Sequence, residues 1–525
     1  MSRQTSMSGS RTILSRPGLW FQRVPREVRW LAVICVVALL LRLAPLNGMS
    51  TEYDEGVYWQ SLRAMANGQP LFTGVFSSQP PVFLVSLYPL YMLFGQTLVA
   101  ARLAIALFSL VGVVAAYWGC RELGGTWAGL LAALLLAVDP LFLTESHTLQ
   151  AEAPAISLEI LAVALAIASM RAGPRRRVVL SALAGATLGL GVMTKLFDVV
   201  AVLPVFAYLA QPLVASVSRP AVATANRPDA GAGWRASGVA WLVCLGGAVL
   251  VGLLVALPFV ANWSVAYDQV IRFHTVAARV SGGSLLGNLK AIAHVRSEYL
   301  LWLAGVAGCA LAVWRRAWEF APIVLWLLAS VAVLAQQQPL FLHHMVLLAP
   351  PLVILASHCV SALPETDKRF AVVGDGATQW AGRLALLIVL VCVVSGVVIG
   401  AKSDAQSARA PSHSTLQLAA ALRDVTLPSD YVVTDDQYVA GLADRNVLPQ
   451  LVDTSLVRIQ SGYLTASQLE ALITSTDTRT ILFASGRFDQ IPGFRGWVEA
   501  HFSAVPQVGN GQMLYVKAPQ GPSPV

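Results

Sequence analysis

Long apolar stretches recur along this chain, each bounded by a short group of charged residues. Stretches long enough to cross a bilayer as helices lie at roughly 30–46, 98–118, 127–143, 151–171, 178–193, 196–214, 237–260, 298–314, 319–336, 344–362 and 382–400, which predicts about eleven transmembrane helices. A further apolar run, Pro81 to Phe94, is only about 14 residues long, the length of a re-entrant or interfacial helix rather than a span. The distribution of basic residues supports leaving it out. With 81–94 not spanning, Arg121, Arg171, Arg175–Arg177, Arg219, Arg227, Arg235, Arg315, Arg316, Lys368 and Arg369 all fall on the cytoplasmic side, as the positive-inside rule requires. Counting it as a span would place all of them outside.

This parity predicts a plasma (inner) membrane, multi-pass protein with a cytoplasmic N-terminus and an exterior, periplasmic C-terminal domain. Residues 1–29 form a basic cytoplasmic segment with Arg3, Arg11, Arg16, Arg23, Arg26 and Arg29 against Glu27. No small-residue cleavage site follows the first apolar run, so it reads as a signal anchor. Residues 30–401 form the transmembrane core, with exterior loops at 47–80, around Glu145 and His147, and at 262–297. The Pro/Ala/Gly-rich stretch 215–236 reads as a flexible cytoplasmic linker. Residues 412–518 change character. A helical stretch at Leu416–Val425, strands at Tyr431–Thr434, Thr480–Phe483 and Met513–Val516, and a helix opened by Thr465 with capping-box spacing to Gln468 predict a small exterior α/β domain. The fold class expected is therefore an all-α polytopic membrane core, with interfacial helices, carrying a small C-terminal α/β domain.

Composition agrees. The 525 residues are 56% hydrophobic and 12% charged, about half the charged share of a soluble domain, and mean hydropathy is +0.64. Net charge is +8, from 36 basic and 28 acidic residues; the basic residues sit between spans, which argues against a nucleic-acid partner. The six cysteines, Cys35, Cys120, Cys244, Cys309, Cys359 and Cys392, lie in or beside apolar runs without metal-binding spacing and read as small core residues. There is no P-loop, no GxGxxG after a strand and no HExxH, so ATP-driven transport and dinucleotide binding lose support.

Candidate chemistry gathers at the outer ends of the spans. In 47–80, Glu52, Asp54 and Glu55 sit among Tyr53, Tyr58 and Trp59. Carboxylates beside aromatic rings suit a sugar site, where rings stack on pyranose faces and a carboxylate takes a hydroxyl proton; a solvated loop anchored by interfacial aromatics has the same composition. Glu145 and His147, with Glu152 following, make an unusually polar hairpin that suits a phosphate, a metal or mutual pairing. Lys195 lies on the outside, against the charge rule, and either faces an anion or snorkels beside Asp198. His343 and His344 open the tenth span; neighbours on a helix point about 100° apart, so one of them is expected to face a cavity and joint metal binding is not. Arg272, Arg279, Lys290 and Arg296, with His274 and His294, make 262–297 basic, as an anionic lipid headgroup or phosphate site would be. A divalent metal held by Glu145, His147 or the Asp54–Glu55 pair is possible, and no cofactor is indicated with certainty.

The order of motifs resembles a known family. The first span, then Asp54-Glu55-Gly56 with Tyr58, Ala64-Met65-Ala66-Asn67-Gly68, Gln79-Pro80-Pro81 and Leu93-Phe94-Gly95 are similar to the family 39-type membrane glycosyltransferases of GT-C fold, relatives of protein O-mannosyltransferases and aminoarabinose transferases. Ala101-Arg102, Asp139-Pro140 and His343-His344 before Pro350-Pro351 continue the likeness over about residues 30–360. The resemblance implies a polyprenyl-phosphate-linked sugar donor and transfer, with inversion, to a glycan, lipid or protein acceptor on the outer face. It implies Asp54 as general base supported by Glu55, with Lys195 and a basic residue of 262–297, such as Arg272, neutralising the departing phosphate. Tyr58, Gln79, Glu145, His147, His343 and His344 would line the substrate site. Gln79 stands where many relatives have a charged residue or His, which leaves that position uncharged. Two other readings compete: a lipid-linked sugar flippase, expected to bury ionisable residues mid-span or show internal symmetry, and a non-catalytic membrane scaffold binding glycans.

Overall fold

The computed structural model describes residues 24–49, 52–213, 230–362, 376–506 and 511–517. Arg3, Arg11, Arg16, Arg23, Arg219, Arg227, Lys368 and Arg369 and most of the 215–236 linker lie outside the described residues. Every apolar run predicted to span is helical, and eight helices among the described residues are long and apolar enough to cross a membrane. Three of the predicted spans fall short of that measure for visible reasons. Arg26–Leu43 carries Arg26, Glu27, Arg29 and Arg42, Pro174–Val192 opens on three arginines, and Thr126–Val138 is interrupted where Asp139 caps a second short helix, Pro140–Glu145. Asp139 accepts from the Phe142 N–H at 2.8 Å and Pro140 occupies the first helical position, where its missing N–H costs nothing. Val82–Leu93 is a separate 12-residue helix.

The expectation of a long loop at 262–297 is corrected. An apolar helix, Ala230–Ala256, continues through Leu257–Asn262 and Trp263–Tyr267, a π-turn at Asp268–Arg272 and Phe273–Val280, giving 48 helical residues from Gly233 to Val280. Its upper part is amphipathic, burying Phe273 and Ala277 while exposing Arg272 and Arg279. Arg272 and Arg279, two of the charges that suggested a loop, lie on its solvated face, while Lys290 and Arg296 belong to the separate short helices Leu285–Ala293 and Arg296–Glu298.

Helix packing in the core relies on small residues. A Cβ at Gly185 or Gly308 would collide with the backbone carbonyl of Cys244 or Leu355 on the neighbouring helix, the close approach that small residues permit between membrane helices.

The C-terminal domain is a five-stranded sheet of order β2-β1-β3-β5-β4, with β1 Tyr431–Thr434, β2 Asn446–Val447, β3 Thr480–Phe483, β4 Ser503–Ala504 and β5 Met513–Val516. β1 pairs in parallel with β2 and β3, while β5 runs antiparallel to β3 and β4. Helix Ala466–Ser475 has the capping box expected from Thr465 and Gln468. Asp435 and Asp436 at the end of β1 serve the turn: Asp435 accepts from the N–H groups of Ala484, Ser485 and Phe488, and Asp436 caps helix Gln437–Leu442.

This domain sits on the acidic helix Tyr53–Ala66. The Gln60 amide donates to the carbonyls of Gln437 and Arg445 and accepts from Val447 N–H. Arg63 reaches Asn446 and Asp444, and the Tyr53 hydroxyl accepts from Thr454 N–H at 2.8 Å. Gly56 lets the two backbones meet, since a Cβ there would lie 2.6 Å from Tyr438 N. Gly56→Ala is therefore expected to destabilise the protein by about 1–3 kcal/mol through overpacking and to speed proteolysis of the C-terminal domain. Thermal melting and limited trypsinolysis check this; an unchanged melt would mean the contact yields freely.

Candidate active site

Segments distant in sequence, from the membrane core and the C-terminal domain, meet in one cavity of about 510 Å³, within the range of small-molecule sites. The acidic helix supplies Glu52, Tyr53, Asp54 and Tyr58 from its first turns, and the loop after it supplies Ser78 and Gln79. The turn ending Pro174–Val192 supplies Lys195 and Phe197. Helix Phe273–Val280 supplies His274, and the stretch from Gln336 to His344 supplies three glutamines and both histidines. The C-terminal domain closes one side with Asp453, Ser455 and Arg487.

Asp54 is half-buried in the first helical turn. A helix N-terminus favours a carboxylate, yet burial, then the negative charges of Asp453, Glu152 and Glu52, outweigh that and the pull of Lys195, raising its pKa from 3.8 to about 7. It is thus poised to exchange a proton near neutrality. Tyr58 and Gln79 face the same cavity, and the Arg487 guanidinium lies over the Tyr53 ring at 3.8 Å.

The basic part of the cavity is built around Glu152, which is 2% exposed. Lys195 Nζ donates to its Oε1 and lies 5.4 Å from the Phe197 ring centre. His343 Nε2 is 3.6 Å from the same Oε1. The His344 ring is wedged edge-on against Phe197 at 4.7 Å, and its Nδ1 accepts from Phe341 N–H at 3.3 Å. His274 Nε2 donates to the Ser78 carbonyl at 2.9 Å, tying the helix to the Gln79 loop.

Residues 78–222 match the family model described as dolichyl-phosphate-mannose-protein mannosyltransferase. The fold matches a crystal structure of ArnT from Cupriavidus metallidurans bound to undecaprenyl phosphate, with TM-score 0.63 and 16% identity over 94% of this chain and 100% of that one. It also matches the archaeal oligosaccharyltransferase AglB from Archaeoglobus fulgidus, in complex with an inhibitory peptide and a dolichol-phosphate, with TM-score 0.53 and 15% identity over 95% of this chain and 75% of that one. The chain shares the GT-C fold of ArnT, and within it residues 78–222 match the mannosyltransferase family model. No match is found among curated proteins. The matched stretch contains Gln79, Glu145, His147, Glu152 and Lys195 and begins after Asp54.

Within this GT-C core the residues singled out from sequence divide. Asp54, Tyr58, Gln79, Lys195, His343 and His344 line the cavity; Glu55, Glu145, His147 and Arg272 do not. Glu55 points the other way, 0% exposed, into a paired contact with Arg102 at 2.7 and 2.6 Å. His147 is buried 3.7 Å from Asp404. Arg272 is exposed and pairs with Asp268 one turn earlier. Glu145 is buried and does not line the cavity. The reading of the two histidines also changes: Glu152, His343 and His344 bring ligand atoms within 4.8 Å of one another, and the two rings sit 4.5 Å apart at 83°.

Sequence reasoning gave too little weight to Glu152 and His274 and missed Asp453, Arg487 and Gln336–Gln338. The glutamines carried a signal, three amides at the end of a span. Asp453 and Arg487 carried none, since only the docking of the domain brings them to Asp54. Glu159, about two helical turns deeper than Glu152, was also missed; it is 0% exposed and accepts from Trp326 Nε1 at 2.6 Å.

Proposed function

We propose that this chain transfers a sugar from a polyprenyl-phosphate-linked donor to a glycan, lipid or protein acceptor at the outer face of the membrane, with inversion and with Asp54 as general base. The observation that carries this reading is one cavity lined both by a carboxylate with a pKa of about 7 and by a lysine able to meet a phosphate. The acceptor hydroxyl gives its proton to Asp54 as its oxygen bonds to the anomeric carbon. The bond from that carbon to the phosphate oxygen breaks, and polyprenyl phosphate leaves. Lys195 is placed to stabilise the charge on the leaving phosphate. Displacement from the face opposite the phosphate inverts the anomeric centre. The donor is already activated as a phosphate ester, so the absence of a nucleotide-binding motif fits.

The outer-face assignment is supported by charge. Arg121, Arg171, Arg175–Arg177, Arg315 and Arg316 sit at the helix ends opposite those that carry Glu152, Lys195 and the histidines, a distribution that supports an exterior cavity end under the positive-inside rule.

The pH dependence tests the base. Asp54 works ionised, so the rate is expected to rise about tenfold per pH unit up to about 7 and then level off. Asp453 is the largest single charge raising this pKa. Asp453→Asn should therefore move the limb to lower pH, measured as kcat against pH in nanodiscs. A limb that stays in place would separate it from Asp54. Lys195→Met should lower turnover by about 10²–10³-fold, the loss seen when one group stabilising a developing charge is removed. An unchanged rate would take Lys195 out of the reaction.

A further inference from the structure

Glu152, His343 and His344 already have partial partners, and those partners leave something over. Lys195 occupies Oε1 of Glu152, and His343 Nε2 lies 3.6 Å from that same oxygen. Oε2 is buried and has no hydrogen-bond partner. A carboxylate with one oxygen held and one buried and unmet is a carboxylate aimed at something further. The two imidazoles lie on the same side: the ligand atoms of all three residues fall within 4.8 Å of one another, and His343 and His344 are 8% and 6% exposed. Both rings are also fixed, His344 between Phe197 and Phe341, and His343 against Phe341 at 5.4 Å. Ring nitrogens held by packing lose little freedom on ligation.

We infer that Glu152, His343 and His344 form a binding site for a zinc-class divalent transition ion at the wall of the cavity. Two imidazoles and one carboxylate are a borderline-soft donor set. It suits Zn²⁺ and disfavours Mg²⁺ and Ca²⁺, which take oxygen ligands. Three protein ligands leave the fourth position of a tetrahedral ion open, as in zinc sites that receive water or substrate. Here the open position belongs to the cavity, because both histidines line it together with Lys195. A phosphate oxygen is the natural fourth ligand; that clause rests on the proposed function, while the site itself does not. Lys195 competes with the ion for Glu152, since both are cations on one carboxylate. The His344 Nδ1 that accepts from Phe341 N–H leaves the neutral ring's proton on Nε2, so ligation through Nε2 would require the other tautomer and loss of that 3.3 Å contact.

The experiment is Zn²⁺ titration of the full-length, metal-stripped protein in detergent by calorimetry, with Co²⁺ absorption as a second reading of geometry. Wild type is expected to bind one ion with tetrahedral Co²⁺ bands. Glu152→Gln and His344→Phe, the latter keeping an aromatic ring against Phe197, should each weaken binding at least about tenfold, and Lys195→Met should tighten it. Zinc-edge X-ray absorption on the wild type should show imidazole scattering at about 2.0–2.1 Å, a test that needs no folded variant. Absence of stoichiometric binding, imidazole-free scattering, or equal affinity in wild type and both weakened variants would overturn the site. Because none of these readings uses sugar transfer, zinc binding without transfer would sink the proposed function alone, and transfer without zinc binding would sink the site alone.

Discussion

Asp54→Asn is expected to lower turnover by about 10²–10⁴-fold, the contribution of a positioned general base, and to abolish the acid limb of the pH profile. The substitution keeps the side-chain shape and removes the charge. Its effect on folding should be slight, and its sign follows from the surroundings. The helix N-terminus loses a favourable carboxylate, worth about 0.3–1 kcal/mol. Against that, the repulsion from Asp453, Glu152 and Glu52 that helps raise the Asp54 pKa disappears. The melting temperature should therefore stay level or rise while activity collapses. A turnover loss accompanied by a large fall in melting temperature would mean that Asp54 holds the fold. Full activity in a well-folded Asn variant would remove it from the chemistry.

The second large effect is on stability. Arg102→Met should cost about 3–5 kcal/mol, the penalty for leaving a buried charge without its partner. Arg102 is 2% exposed and its guanidinium is fully used: Glu55 takes Nε and Nη2, and the carbonyls of Leu46 and Gly48 accept from Nη1 at 2.8 Å each. Glu55 in turn accepts from Leu149 N–H at 2.8 Å. One ion pair thus ties the end of the first helix, the acidic helix and the hairpin after Glu145 into a fixed frame, with Asp54 one residue away. Adding Glu55→Gln to Arg102→Met removes the orphaned charge and should recover part of the loss. Unfolding of single and double variants in detergent, alongside transfer activity, separates the roles. If the double variant regains stability and retains turnover, Glu55 positions the frame. If Arg102→Met melts like wild type, the frame does not depend on the pair.

How far the sequence could be read follows from where each signal resides. Helices were legible because a membrane imposes long apolar runs, and the three strands Tyr431–Thr434, Thr480–Phe483 and Met513–Val516 were bounded by turn residues. The short strands Asn446–Val447 and Ser503–Ala504 were not, because two residues carry no period. The 262–297 segment misled because it is helical up to Val280, continuing an apolar helix with Arg272 and Arg279 on its exposed face, and then passes through two short helices that carry Lys290 and Arg296. Within the site, Asp54 and Lys195 stood out as charges at span ends. Glu55 shared that signal, and only burial against Arg102 distinguishes it. Asp453 and Arg487 reach the cavity through the contact at Gly56 and Tyr438, about 400 residues away in sequence. The Glu152–His343–His344 grouping joins two helices far apart in sequence, which residue spacing alone does not announce.

The most direct test of the central claim is donor consumption by the wild-type protein in lipid nanodiscs. A panel of polyprenyl-phosphate sugars is offered with a membrane-glycan extract as acceptor, and both loss of the lipid-linked sugar and release of free polyprenyl phosphate are followed. The account predicts that one donor is consumed, that polyprenyl phosphate appears in equal amount, and that Asp54→Asn does neither. Movement of an intact lipid-linked sugar across the bilayer without phosphate release, or equal release by wild type and Asp54→Asn, would contradict it.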